Sequence, residues 1–155
     1  MAINPNTDFS AGAILTADQQ NRFGRGIVSQ VRGTASSASV SVETVVLTAP
    51  AFTAVANRYY KLTYFQPVLT YQSGTVNNVA LRIRLTNISG AEQAYCEVKM
   101  ASAGTATGIA TIVTTFSAGS TVLVATFAPS GGGNVIASGA TVFAPQLVIE
   151  DIGPA

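Results

Sequence analysis

The chain has 155 residues, 48% of them hydrophobic and 10% charged, with eight Lys/Arg against seven Asp/Glu and a formal net charge of +1. That is one domain with enough apolar side chains for a core, which excludes intrinsic disorder, and its balanced charges exclude the basic footprint needed by nucleic acid or an anionic membrane. With no histidine and one cysteine, the residue content excludes Ser–His–Asp and Cys–His pairs, most metal sites and an internal disulfide.

Residues 1–35 are rich in Asn, Asp, Gln, Arg and Gly and read as an N-terminal extended arm. Thr16 and Gln19 have the spacing of a capping box, in which each side chain satisfies a free backbone N–H of the first turn. One short helix is predicted from Ala17 to Phe23, ended by Gly24 and Gly26. Seven residues cannot hold a helix alone, so it must dock. Ile3, Phe9, Ile14, Leu15 and Phe23 are the apolar groups available as anchor or oligomer contacts. The longest apolar run here is Ala13-Ile14-Leu15, too short for a secretory signal. No run approaches the roughly 18 apolar residues of a membrane helix. The expectation is a protein made in a cytoplasm and not inserted into a membrane.

From residue 36 to 155 one β-sandwich domain is predicted. Candidate strands lie at Ser39–Thr48, Tyr59–Tyr71, Val79–Asn87, Gln93–Ala101, Ile109–Phe116, Thr121–Ala128, Val135–Ala137 and Thr141–Ile152, separated by Gly, Pro, Asn and Ser turns. No helical crossover separates them, so the pairing is antiparallel. The fold class is therefore all-β, a jelly-roll-like antiparallel sandwich. Pro67 and Pro145 interrupt strand-like segments; lacking an N–H, each belongs at an edge or a bulge.

One hairpin is legible residue by residue. Val79, Leu81, Ile83 and Leu85 alternate with Ala80, Arg82 and Arg84, and Ala94, Cys96 and Val98 alternate with Tyr95, Glu97 and Lys99. A tight turn at Ser89-Gly90 pairs Leu81 with Val98 and Ile83 with Cys96 on the core face. It also pairs Arg82 with Glu97 and Arg84 with Tyr95 on the outer face. A slip of one residue would set Arg against Val.

No catalytic constellation emerges. Glu150 and Asp151 are neighbours and point to opposite faces of a strand. Glu97 has Arg82 as its expected partner, and Lys61 and Lys99 occupy outward positions. Gly131-Gly132-Gly133 precedes a strand rather than a helix, so it reads as a hairpin loop and not as a phosphate cradle. No cofactor or metal is implied, and an enzyme is not expected. Tyr59, Tyr60, Tyr71 and Tyr95 are candidate glycan-stacking residues. With so few charges, the mean hydropathy of +0.38 points to apolar surface covered by copies of the same chain.

The stretch Ala11-Gly-Ala-Ile-Leu-Thr-Ala-Asp-Gln-Gln-Asn-Arg-Phe23, with Arg25-Gly-Ile-Val28, resembles the start of small virion proteins of tailed bacteriophages, particularly those infecting actinobacteria. Phe52-Thr-Ala-Val-Ala-Asn-Arg-Tyr-Tyr-Lys-Leu62 and Leu147-Val-Ile-Glu-Asp-Ile-Gly-Pro-Ala155 resemble the same group, so the likeness touches both ends and the middle. The resemblance implies a non-enzymatic structural role in the virion, as a minor tail or fibre protein or a capsid decoration. Its partners would be itself, as a homotrimer by analogy with threefold appendages, and other virion proteins. The alternative is a carbohydrate- or receptor-binding module that grips a host-surface glycan. Synthesis in the host cytoplasm without a signal peptide agrees with either.

Overall fold

A computed structural model describes residue 20, residues 23–100 and residues 103–155. Of the predicted helix Ala17–Phe23 only Gln20 and Phe23 are described, Gln20 with helical backbone and Phe23 in a bend whose N–H donates to the Gln20 carbonyl at 3.2 Å. The contacts of Ile3, Phe9, Ile14 and Leu15 lie outside the described residues. Eleven strands run in chain order among those described: β1 (Gly26–Arg32), β2 (Thr44–Thr48), β3 (Phe52–Ala54), β4 (Arg58–Ser73), β5 (Asn78–Leu85), β6 (Glu92–Lys99), β7 (Thr105–Thr115), β8 (Gly119–Thr121), β9 (Leu123–Pro129), β10 (Asn134–Ser138) and β11 (Gln146–Pro154). All pairings are antiparallel.

Sheet A pairs β1 with β11, β11 with β4, and β4 with β7. β10 continues the line of β11 along the same edge of β4, on its second half. Sheet B has the order β2-β9-β5-β6, and β3 and β8 form a small ribbon. Without β3, β8 and β10, the eight principal strands lie in the spatial orders 1-8-3-6 and 2-7-4-5. That is a long hairpin, with β5–β6 innermost, rolled into two facing sheets: a jelly roll. The eight predicted strands are all present, with shifted ends. β2 begins at Thr44, β7 begins at Thr105 and β11 begins at Gln146.

The sheets meet over Leu62, Tyr64, Leu69, Leu147 and Ile149 from one side and Val79, Leu81, Ile83, Leu123 and Phe127 from the other, all fully buried. Within each regular stretch these residues share one parity, as a half-buried pleated surface requires. The bulge between Gln66 and Leu69 switches it on β4, so that Leu69 faces inward with Leu62 and Tyr64. β1 was not foreseen. It belongs to sheet A, paired with β11 from Gly26↔Asp151 to Arg32↔Gln146. The sandwich therefore starts inside the segment read as an arm.

The hairpin has the predicted faces but not the predicted register. Leu81 lies opposite Cys96 and Arg82 opposite Tyr95, two residues from expectation. The cause is the turn. The chain reverses through Asn87–Gly90, where Gly90 N–H donates to the Asn87 carbonyl (3.0 Å) and Leu85 N–H donates to that of Ala91 (3.0 Å). Lengthening the loop by two residues moves the register by an even step and leaves both faces intact. Leu81 and Ile83 are core, whereas Leu85, Cys96 and Val98 are half-buried against it.

Pro67 lies in a bulge as expected, since the β4–β7 register breaks between Gln66 and Leu69. Buried Gln66 satisfies the irregular backbone there, donating to the Val68 (2.8 Å) and Ser138 (3.0 Å) carbonyls and accepting from Tyr64 Oη (3.0 Å). Pro145, by contrast, is at neither an edge nor a bulge but just outside the interior strand β11, where no ladder N–H is required. Its carbonyl accepts from Gly33 N–H at 2.9 Å.

Candidate interaction faces

Each sheet turns one face outward, and the two faces differ in chemistry. On sheet A, rows read across β1, β11, β4 and β7 are Ile27–Glu150–Lys61–Val113, Gln30–Val148–Thr63–Thr111 and Arg32–Gln146–Phe65–Ile109. Ile27, Ile109 and Val113 are 58%, 51% and 51% exposed. At the centre, Lys61 Nζ lies 3.4 Å from Glu150 Oε2. The face is thus an apolar and hydroxylated plane around one charge pair, with Arg32 at its β1 corner donating to the Thr141 carbonyl at 3.0 Å.

Sheet B is the polar side. Its rows are Val45–Thr126–Arg82–Tyr95 and Thr48–Val124–Arg84–Glu92. Two arginines on one face of β5 call for carboxylates, and Glu43, just before β2, lies across them. Its Oε1 accepts from Arg84 Nε (2.7 Å) and Thr126 Oγ1 (2.6 Å), and its Oε2 accepts from Arg84 Nη2 (3.1 Å) and Arg82 Nη1 (3.2 Å). Burial alone would raise the Glu43 pKa. The hydrogen bonds from Arg84 and Thr126 and the charges of Arg82 and Arg84 outweigh it and hold the carboxyl below its usual range. Glu92 Oε2 completes the network, 2.9 Å from Arg82 Nε.

The expected Arg82–Glu97 pair is therefore replaced. The shifted register sets Glu97 opposite Ala80, and Glu97 accepts instead from Asn78 Nδ2 and from Tyr95 Oη (3.3 Å). Glu43 was missed although it falls within the predicted strand Ser39–Thr48: that strand begins only at Thr44, which leaves Glu43 just outside it and free to lie across β5. The signal for it was the pair Arg82 and Arg84 at i, i+2 with a single cross-strand acid.

The candidate tyrosines do not converge. Tyr60 is 1% exposed, packed among Phe52 and Phe116 with its hydroxyl accepting from Val55 N–H at 2.8 Å, so its ring is not offered to a glycan. Tyr59 is half-buried on sheet A's outer side. Tyr71 packs against the core and donates to the Gly74 carbonyl at 2.7 Å. Tyr95 alone is well exposed, at 50%, with the Arg82 guanidinium 5.4 Å from its ring centroid.

A second charge site is internal. Arg58 Nε and Nη2 bind Asp151 Oδ2 and Oδ1 at 2.6 and 2.7 Å, both side chains being buried. Nη2 also donates to the Phe23 carbonyl at 2.6 Å. Phe23, an expected anchor, is held here by its backbone while its side chain stays 46% exposed. Glu150 and Asp151 do point to opposite faces, as their adjacency requires. Among the described residues, no three His, Cys, Asp or Glu gather as a metal site.

No family model matches the chain, and no curated protein matches it. Among solved structures it is similar to the CBM22-1 xylan-binding domain of Xyn10C from Paenibacillus barcinonensis, at 10% identity and a TM-score of 0.36, over 86% of this chain and 99% of that one.

Proposed function

We propose that this chain is a non-enzymatic structural component of a tailed-bacteriophage virion, displayed on the tail as a minor tail or fibre protein or on the capsid as a decoration. It would act as a closed homo-oligomer, threefold by analogy with phage surface appendages. The observation that carries the reading is the outer face of sheet A, where Ile27, Ile109 and Val113 stand exposed around a single ion pair. Apolar surface of this kind marks a site of association. The resemblance of Ala11–Phe23 and Leu147–Ala155 to phage virion proteins supplies the setting. The jelly roll does not choose, since the fold serves capsid and lectin domains alike.

The test is immunogold labelling of purified phage particles with antibody raised against the chain. Label on tails or heads is the expected result. Unlabelled particles, with the protein confined to the soluble lysate, would overturn the proposal.

Tyr95 favours a second reading, in which the polar face of sheet B binds a host-surface glycan or receptor. Aromatic faces beside hydrogen-bonding side chains are suited to sugars. Retention on host cell-wall material that is lost in Tyr95→Ala would support it.

A further inference from the structure

We propose that the outer face of sheet A is the contact surface between copies of this chain, with the Lys61–Glu150 pair at its centre. The inference deepens the structural role proposed above and rests on it. What selects a second copy as occupant is charge complementarity. Lys61 and Glu150 are neighbours on β4 and β11, 3.4 Å apart and with side chains 48% and 34% exposed, so each keeps part of its charge open to solvent. Lys61 beside Glu150 is a charge pattern complementary to itself, while the other charge of the face, Arg32, lies on edge strand β1 and donates to the Thr141 carbonyl at 3.0 Å. When copies meet around a closed symmetry axis, Lys61 of each reaches Glu150 of the next, and neither of these two charges is buried unpaired. The same meeting covers Val113 and Ile109, which lie on the β7 side of that pair in the rows of Lys61 and Phe65. A partner of strong net charge would leave either Lys61 or Glu150 opposed. The outer face of sheet B lacks this property, because its arginines already face Glu43 and Glu92.

The experiment is light scattering on the full chain at micromolar concentration, with thermal unfolding as the check on folding. The wild type should have a mass that is a multiple of the 15.9 kDa chain. Ile109→Glu and Val113→Glu place charge on a surface already open to water and should lower that mass toward a single chain. Lys61→Glu and Glu150→Lys should each do the same, whereas the double exchange should restore the oligomer. A monomeric wild type would overturn the inference. So would an unchanged mass in both Ile109→Glu and Val113→Glu, or a double exchange no better than the single reversals. Particle labelling is read separately, so a labelled particle with a monomeric protein would sink this contact surface while leaving the virion role standing.

Discussion

Arg58 and Asp151, ninety-three positions apart, meet inside the sandwich as a two-point pair, Nε to Oδ2 at 2.6 Å and Nη2 to Oδ1 at 2.7 Å. The hydrogen bond to Asp151 is the main reason the Arg58 pKa is raised further. Each partner also serves the backbone: Arg58 holds the Phe23 carbonyl, and Asp151 accepts from Gly153 N–H at 3.1 Å. The pair therefore ties the start of the described chain to the last strand of sheet A.

Removing one partner should cost far more than removing both. Asp151→Asn strands a buried guanidinium, and its expected cost is about 3–5 kcal/mol by urea unfolding. Arg58→Met with Asp151→Leu replaces the pair by apolar volume and should recover most of that loss. A double variant as unstable as the single one would show that the pair, and not its geometry alone, holds this corner.

Glu43 should make stability depend on acid. Its carboxyl titrates below the ordinary value of 4.5 in the folded chain. The unfolded chain then binds a proton first as pH falls. The stabilisation is complete above that ordinary value and is lost as pH drops through the lower folded value. Glu43→Gln should flatten this part of the pH–stability curve, leaving the variant closest to wild type at the acid end. Parallel curves for the two proteins down to acid pH would refute the role.

Faces were more legible than ends. The parity of Leu81, Ile83 and Arg82 is set by alternation, and a turn of any even length preserves it. The register depended on where the turn closes, and Asn87 captures it two residues early by accepting Ser89 N–H on its side chain at 2.9 Å. The Arg58–Asp151 pair was written in the sequence too. Arg58 has the parity of Tyr60, Leu62 and Tyr64, and Asp151 that of Leu147 and Ile149, so both point inward. Alternation tells which side a residue faces. It does not tell which distant strand supplies the partner, as Glu43 and the unforeseen β1 show.

Ile83 is fully buried on β5, opposite Ala94 on one side and Ala125 on the other. Two small neighbours leave it to fill the inter-sheet space. Ile83→Ala should cost about 2–5 kcal/mol. Chemical denaturation with an unchanged slope would confirm a cavity effect, and a loss under about 1 kcal/mol would place Ile83 in a site that collapses easily.

The hairpin turn offers the sharpest test of the register. A side chain on Gly90 would run into the Leu85 carbonyl oxygen and sit 2.7 Å from its carbon and 3.1 Å from the Asn87 oxygen. These are backbone atoms and cannot swing aside. Both ends of the same turn are in use, since Gly90 N–H donates to Asn87 and its carbonyl accepts from Arg84 Nη1 at 3.2 Å. Gly90→Ala must therefore either open the turn or move it, at an expected cost of about 1–3 kcal/mol, the range for a forced backbone shift. Ser89→Ala is the control: its backbone N–H is used, its side chain is exposed, and the change should stay within about 0.5 kcal/mol. Amide chemical shifts in β5 and β6 should move in Gly90→Ala and stay put in Ser89→Ala. If both variants unfold like wild type, the reversal does not run through Asn87–Gly90.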